Sequence, residues 1–346
     1  MVTTIRDVAR RAGVSISTAS RAMNGRGEVS KDVRARVLAA AAELSYTANL
    51  HARALKGATT KTLGVLLSDT SAFSFNARVM SGVYDVATPR GYGVIVCNAQ
   101  TSAEAEREAH RMLLEKRVDG VLANSVKSGA EPLRRLEAAG IPCVLLNRRL
   151  DDLECDSVVV DYRRGDYLAT RHLLELGHRR ILCQLGSVDN PPSGVRLPGY
   201  REALEEAGVE YAPELVLYCD DFREIHQRIR TAMTALDPRP TAVVAYNDES
   251  ALPVLKALRE LGLQVPRDVS VVGQNDLTLA EYIDPPLTSV AHAVRDMARQ
   301  ATELLLQKID WPANGTARET WAPRRLAYEP RLVVRESSKP PCRTDG

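Results

Sequence analysis

A chain of 346 residues exceeds what one hydrophobic core ordinarily organises and calls for two or three domains. Hydrophobic residues at 45% and charged residues at 26% fit a soluble globular protein, and six dispersed cysteines (Cys97, Cys143, Cys155, Cys183, Cys219, Cys342) without a C-x-x-C pair exclude a zinc framework or a disulfide scaffold. The net charge of +2 conceals an asymmetry: residues 1–61 hold 11 Lys/Arg against 4 Asp/Glu, a net of +7, while the rest holds 35 against 40, a net of −5. A basic arm on an acidic body predicts a polyanionic partner for the arm, a merely solvated helical face being the blander reading. No basic-then-apolar leader precedes Thr3, and no apolar run approaches the roughly 18 residues that span a bilayer. A cytoplasmic chain without a membrane partner is therefore expected.

Thr4 followed by Asp7 is a helix-start signature, opening a helix over about 5–11 whose apolar positions Ile5, Val8, Ala9 and Ala12 recur at helical spacing. Gly13 suits the left-handed position that ends it. Ser15 can cap a second helix to about Asn24, broken by Gly25, Arg26 and Gly27. Ser30 can cap a third, with Val33, Val37, Leu38 and Leu44 on one face. Short helix, glycine turn, short helix is the helix-turn-helix arrangement.

From Leu63 the texture changes. Apolar strands (63–67, 94–97, 120–123, 143–146, 157–160) alternate with helical patterns (75–89, 102–116, 130–139). A second run follows, with helices near 164–176, 197–207, 223–236 and 249–261 and strands near 180–184, 216–218, 242–245 and 270–272. Such alternation implies two parallel-sheet lobes covered by helices, with ligand held at the carboxyl ends of the strands, between the lobes. The last ten residues, S-S-K-P-P-C-R-T-D-G, read as a frayed, disordered tail over 337–346.

A helix in the major groove reads bases through its first turns, which here carry Ile16, Ser17 and Arg21. Arg21 can donate two hydrogen bonds to guanine, Ser17 can serve either base type, and Ile16 can pack on a thymine methyl. Thr4, Ser15, Ser20 and Asn24, with the neighbouring Thr18, are candidates for the DNA face through phosphate contacts. Thr4 and Ser15 can equally do no more than cap helices, and Arg21 can make only a surface ion pair.

The string T-I-R-D-V-A-R-R-A-G-V-S-I-S-T-A-S-R-A-M-N-G resembles the headpiece of the LacI/GalR family of bacterial transcriptional regulators, and N-L-H-A-R-A-L-K-G is similar to that family's hinge helix. Further matches follow in order: S-V-V-V-D-Y-R-R-G, H-L-L-E-L-G-H-R-R-I, R-L-P-G-Y-R-E-A-L, N-D-E-S-A-L, L-Q-V-P-R-D-V-S-V-V-G and D-P-P-L-T-S-V, so that the likeness runs from about residue 3 to 336. It implies an all-α helix-turn-helix headpiece (1–47), a hinge helix and linker (48–61), and a periplasmic-binding-protein-like α/β effector domain (62–336). The N-lobe would comprise about 62–161 and 291–322, the C-lobe about 162–290 and 323–336. It also implies that Asn49, Ala52, Leu55 and Lys56 meet DNA through the hinge. Leu55 would wedge into a base step in the minor groove, an unstacking cost offset by contacts that the bend permits. Ala19 and Ala22 stand where relatives carry larger valines, and Met23 and Leu38 are expected to fill the space.

Phe73, Phe75 and Phe222, the only phenylalanines, fall just after predicted strands and are expected in loops at the cleft mouth, where rings stack on sugar faces or bases; core packing is the alternative. By resemblance, Arg196 matches the family's effector-binding arginine, Asn247 a polar effector contact, and Asn275 a position where relatives carry aspartate. Ser68, Asn147 and His292 align with further cleft positions, His292 being equally readable as a structural histidine. Together these residues predict a donor-rich pocket for a sugar or sugar derivative, with an acidic or phosphorylated sugar as the minor option. A transport-type sugar receptor would lack the basic headpiece, and a regulator could instead answer to a nucleobase. No paired acid and base and no phosphate loop speak for an enzyme, and no metal or cofactor is called for. The expectation is a homodimeric repressor on pseudo-palindromic double-stranded operator DNA, switched by a small-molecule effector, most readily a carbohydrate.

Overall fold

The computed structural model describes residues 3–24, 29–46, 59–67, 73–99, 102–124, 129–150, 152–186, 191–314 and 321–341. The chain forms two compact units, Met1–Thr60 and Lys61–Gly346.

The first unit holds helices α1 (Ile5–Ala12), α2 (Ile16–Asn24) and α3 (Lys31–Glu43). Thr4 opens α1 with its amide and hydroxyl donating to Asp7 Oδ2 at 3.0 and 2.7 Å, and Gly13 closes it at φ 66°. Ser15 caps α2 by accepting from Thr18 N at 3.1 Å, and Ser30 caps α3 by accepting from Val33 N at 3.3 Å. The core is Val8, Ala9, Ala12, Ala19, Ala22, Val37, Ala40 and Ala41, an alanine-rich seam that lets three short helices approach closely. Met23 packs against it as expected. Leu38 does not: it is 47% exposed, because the residue after inward-facing Val37 is turned about 100° away around the helix. Arg36 Nη2 donates to Ala12 O at 2.6 Å and Arg11 pairs with Glu43 at 2.8 Å, joining α1 to α3.

The second unit runs β1 (Thr62–Leu67), α4 (Phe73–Ala87), β2 (Gly93–Asn98), α5 (Ala103–Glu115), β3 (Gly120–Ala123), α6 (Glu131–Ala138), β4 (Cys143–Leu146) and β5 (Asp156–Val160). It continues α7 (Tyr162–Glu175), β6 (Ile181–Leu185), α8 (Pro191–Glu206), β7 (Val216–Tyr218), α9 (Phe222–Ala235), β8 (Ala242–Val244), α10 (Asp248–Glu260), β9 (Ser270–Gln274), α11 (Leu279–Tyr282) and β10 (Thr288–Ala291). Helix α12 (Val294–Asn314) and strands β11 (Arg325–Tyr328) and β12 (Arg331–Val333) complete it. Two six-stranded sheets result, ordered β11-β5-β4-β3-β1-β2 and β12-β10-β9-β8-β6-β7. Their pairings are parallel except β10–β12. Central strands β3, β4, β6 and β9 are buried throughout, as strands covered by helices on both faces must be.

The chain passes between the sheets at Asp161, at 292–293 and at 329–330. This moves two expected lobe boundaries. Strand β11 pairs with β5, Arg325 opposite Ser157, so residues through Tyr328 belong to the first lobe rather than to a C-lobe segment starting at 323. Helix α12 packs Val294, Met297, Ala301 and Leu305 into the first lobe's core, while β10, through Ala291, lies in the second sheet between β9 and β12 rather than leaving 291 to the first lobe.

The expected disorder of 337–346 fails over its described part, 337–341. Ser337 is fully buried; its hydroxyl donates to Val271 O at 2.6 Å and accepts from Thr288 N at 2.8 Å. His178 lies 2.9 Å from Lys339 O, and His172 lies 2.9 Å from Ser338 Oγ. A polar, proline-containing segment looks loose in sequence, yet here it supplies partners to buried strand groups that would otherwise stay unsatisfied. Among the described residues no helix is long and apolar enough to cross a membrane.

Candidate DNA-reading face and ligand cleft

Helix α2 buries Ala19 and Ala22 and leaves Ser15, Ile16, Ser17 and Arg21 exposed, so burial of the alanine stripe turns the three candidate base readers outward together. Ile16 is 48% exposed, an apolar side chain with no place in this unit's core. Arg21 Nε donates to Ser17 O at 3.4 Å, a long bond that leaves the guanidinium at the surface. Thr18 and Ser20 are half-buried at the edge of this face, and Asn24 ends the helix. The Ser15 hydroxyl sits 2.8 Å from those of Ser17 and Thr18, and the Thr4 hydroxyl is committed to Asp7, so both candidates act as caps in the unbound headpiece. The Thr4 hydroxyl and amide beside Asp7 hold its carboxyl below the usual range. Asn49, Ala52, Leu55 and Lys56 lie outside the described residues.

In the second unit, buried polar side chains gather beyond the carboxyl ends of the parallel strands. Arg196, on the first turns of α8, is 2% exposed. Its Nη1 lies 3.2 Å from Asp166 Oδ2 and 3.0 Å from Tyr246 O, and its guanidinium stacks between the rings of Tyr162 and Tyr246, each at 4.4 Å. Tyr162 also packs on His292 with ring centroids 5.0 Å apart, and its hydroxyl accepts from Asn147 Nδ2 at 2.9 Å. The two lobes therefore meet through one continuous contact chain: Asn147 after β4, Tyr162 at the first crossing, Arg196 and His292 beyond. Gly165 is required here, since a Cβ at that position would stand 2.7 Å from His292 Cε1.

Burial drives the protonation states. It pushes the Tyr162 hydroxyl up to about 12 and the Asp166 carboxyl upward, with the Arg196 guanidinium pulling the other way in both. Burial, with the Arg196 charge, takes His292 down to about 3, so the ring is neutral. His292 Nε2 lies 2.9 Å from Gln274 Oε1, an acceptor, which places the proton on Nε2 and leaves Nδ1 as a bare lone pair. That nitrogen is one of six buried atoms in this region with no hydrogen-bond partner, the others being Asn147 Oδ1, Asn275 Oδ1, Arg196 Nε, Gln274 Nε2 and Ser193 Oγ. Three are acceptors, two are donors and one is a hydroxyl. The open atoms expected to be rich in donors are thus a mixed set. Asn147 commits one amide N–H to Tyr162, and only a structure can show which groups of an amide are already engaged.

Other expected contacts also change. Asn247 is the N-cap of α10, its Oδ1 accepting from Ser250 N at 2.6 Å, so the carbonyl half of that amide is not open to ligand. Phe73 and Phe75 are not in a loop: α4 begins at Phe73, and Phe75 joins the i, i+4, i+8 stripe with Val79 and Val83 against the first lobe's core. Phe222 opens α9 behind its Asp221 cap and is 49% exposed, again helical rather than in a loop. Ser68 lies outside the described residues. Asn147 and Asn275 both adopt positive φ, 60° and 92°, uncommon values that put each side chain at the end of its strand.

Sequence reasoning missed Tyr162, Tyr246, Asp166 and Gln274. The signal existed for the tyrosines, each two residues beyond the end of a parallel strand, where such folds hold ligands. Nothing in the spacing paired Asp166 with Arg196, because the pairing arises where α7 and α8 pack together. Among the described residues no His/Cys/Asp/Glu cluster could hold a metal.

The family described as "Bacterial regulatory proteins, lacI family" matches residues 4–49, and "Periplasmic binding protein-like domain" matches 170–338. The HTH-type transcriptional repressor PurR of Vibrio vulnificus (strain CMCP6) is 35% identical over 344 residues, covering 97% of this chain and 98% of that one. Among solved structures, a transcriptional regulator CelR–cellobiose complex is 34% identical with a TM-score of 0.72, covering 97% of this chain and 100% of that one. The lac repressor dimer bound to operator and the anti-inducer ONPF is 28% identical with a TM-score of 0.84, covering 98% and 100%.

Proposed function

The chain belongs to the lacI family of bacterial regulatory proteins and is a DNA-binding transcriptional repressor rather than an enzyme, and from that premise we propose that a small neutral polyhydroxy compound, a sugar, bound between the lobes switches its hold on operator DNA. One observation carries this reading: the six buried polar atoms without partners, three acceptors, two donors and one hydroxyl. Each buried unsatisfied group costs about 1–3 kcal/mol, so the site favours a ligand able to answer them at once. Hydroxyl groups both donate and accept, and several on one ring match such a set. An anionic sugar fits less well. Three bare acceptors repel negative charge, and the Arg196 charge is already balanced by Asp166. The bound cellobiose of the CelR complex points the same way.

On DNA, Ile16, Ser17 and Arg21 read base edges while Thr4, Ser15, Thr18, Ser20 and Asn24 orient the headpiece on phosphates. Asn49, Ala52, Leu55 and Lys56 form the hinge contact, Leu55 as the wedge. Two chains act as a homodimer whose symmetry mirrors a pseudo-palindromic operator. Ligand changes DNA affinity only by the difference in its affinity for the two lobe arrangements. Calorimetric titration of the full chain with cellobiose, ribose, galacturonate, glucose 6-phosphate and adenine tests the ligand class. A neutral sugar is expected to bind and to shift operator affinity; binding of adenine alone would overturn the reading.

A further inference from the structure

Helix α4 of the first lobe reaches across to the second. Ser74 Oγ donates to Glu249 Oε1 at 2.7 Å. One turn on, Arg78 donates from Nη1 to Asn275 O at 2.7 Å and from Nη2 to Asp276 O at 2.6 Å. In an extended strand successive carbonyls point to opposite sides. Here positive φ at two consecutive non-glycine residues, 92° at Asn275 and 47° at Asp276, turns both toward one guanidinium. Such backbone persists only when its surroundings over-determine it. Within the second lobe the turn is held by Ser289 Oγ, accepting from Asp276 N at 3.1 Å, by Asp248, accepting from Leu277 N at 2.6 Å, and by Arg335 on the Asp276 carboxylate at 2.7 Å. Only Arg78 reaches its carbonyls from the first lobe among the hydrogen bonds of the described residues.

We propose that Arg78 is a positioning residue that ties Asn275 to lobe closure: with the lobes together it holds the left-handed turn and so aims the unpartnered Asn275 Oδ1 into the cleft, and with the lobes apart the turn loses that restraint. Ligand contact and lobe arrangement then converge on a single residue, its backbone held by one lobe and its side chain offered to the ligand. The planar fork matters, since a lysine ammonium cannot take both carbonyls in the same geometry. The ligand half of this inference rests on the cleft being the effector site; the latch itself does not.

The test is amide hydrogen exchange on the full chain with no ligand added, comparing the unaltered protein with Arg78→Met and Arg78→Lys. Arg78→Met is expected to speed exchange across 275–277 by about tenfold or more while β6 and β8 stay protected, with Arg78→Lys in between. Because glycine accepts positive φ without strain, Asn275→Gly should reduce the Arg78→Met effect to about threefold or less. Unchanged exchange at 275–277 in a folded Arg78→Met chain overturns the proposal. Equal acceleration in both lobes does so too, by making Arg78 ordinary packing. Should Arg78→Met fail to fold, Arg78→Lys decides by the same comparison. Titrating cellobiose and ribose into the same proteins separates the two readings: the exchange effect without binding of either sugar supports the latch and refutes the sugar.

Discussion

Replacing Arg196 by methionine isolates the energetics of the cleft. The substitution keeps an unbranched apolar stem between the Tyr162 and Tyr246 rings but removes the charge that Asp166, 1% exposed, faces at 3.2 Å. Removing one partner of a buried pair typically costs about 3–5 kcal/mol. Here the cost has a ceiling, because Asp166 can take up a proton instead. From an ordinary carboxyl value of 3.8, protonation at pH 7 costs about 4 kcal/mol, and at pH 5 about 2 kcal/mol. The sign follows from the direction of the shift. A carboxyl whose folded value is raised contributes its stability below the unfolded value and loses it as pH rises through the folded one. The penalty for Arg196→Met should therefore be about 4 kcal/mol at pH 7 and shrink to about 2 kcal/mol at pH 5. Adding Asp166→Asn should recover most of the loss and flatten the pH dependence, while sugar binding stays lost. Urea unfolding followed by circular dichroism, with the m-value checked for constancy, measures both. A penalty independent of pH, or one not relieved by Asp166→Asn, would refute the argument that an uncompensated buried carboxylate is what the mutation leaves behind.

Two further outcomes are expected. Arg21→Ala should weaken binding to the specific operator about ten- to hundredfold and relax preference at one base position, as gel-shift titrations against a randomised site would reveal; an equal loss on every sequence would make Arg21 a phosphate contact only. Ser337→Ala should cost about 1–3 kcal/mol in urea unfolding by orphaning the buried Thr288 amide, and a neutral result would return this segment to the status of a dispensable tail.

Where the sequence was legible, the physics was local. The Thr4–Asp7 box, Gly13, Ser15 and Ser30 are start and stop signals acting within four residues, and all four lie where spacing placed them. The strand and helix alternation from Leu63 onward was visible because parallel strands buried on both faces are short apolar runs. Arg196, Asn147, Asn275 and His292 came from resemblance, and the structure brings their buried polar atoms into one region of the second unit. The errors share a different cause. Leu38, Phe75 and Phe222 were placed by a pattern blind to which way a helix face turns, or to where a helix begins. Strands β11 and β12 went unread because their exposed and half-buried residues carry no apolar run, and their lobe membership depends on partners more than 40 residues distant.

The amino-acid sequence alone determines that this protein is a basic three-helix reader joined to a two-lobed α/β body, since capping, periodicity and charge act between near neighbours. Only the tertiary structure decides what the body's cleft asks of a ligand. Asn147 commits one amide N–H to Tyr162, Asn247 engages its Oδ1 with the Ser250 amide, and His292 keeps its proton on Nε2 beside Gln274. A polar side chain advertises donors and acceptors by its type, but which of them remain open depends on partners that the chain brings from elsewhere. For that reason, the exposed face of Ile16, Ser17 and Arg21 could be read directly from the headpiece helix, whereas the open donors and acceptors of the cleft and the Arg78 contacts to Asn275 and Asp276 emerge only once the two sheets are folded.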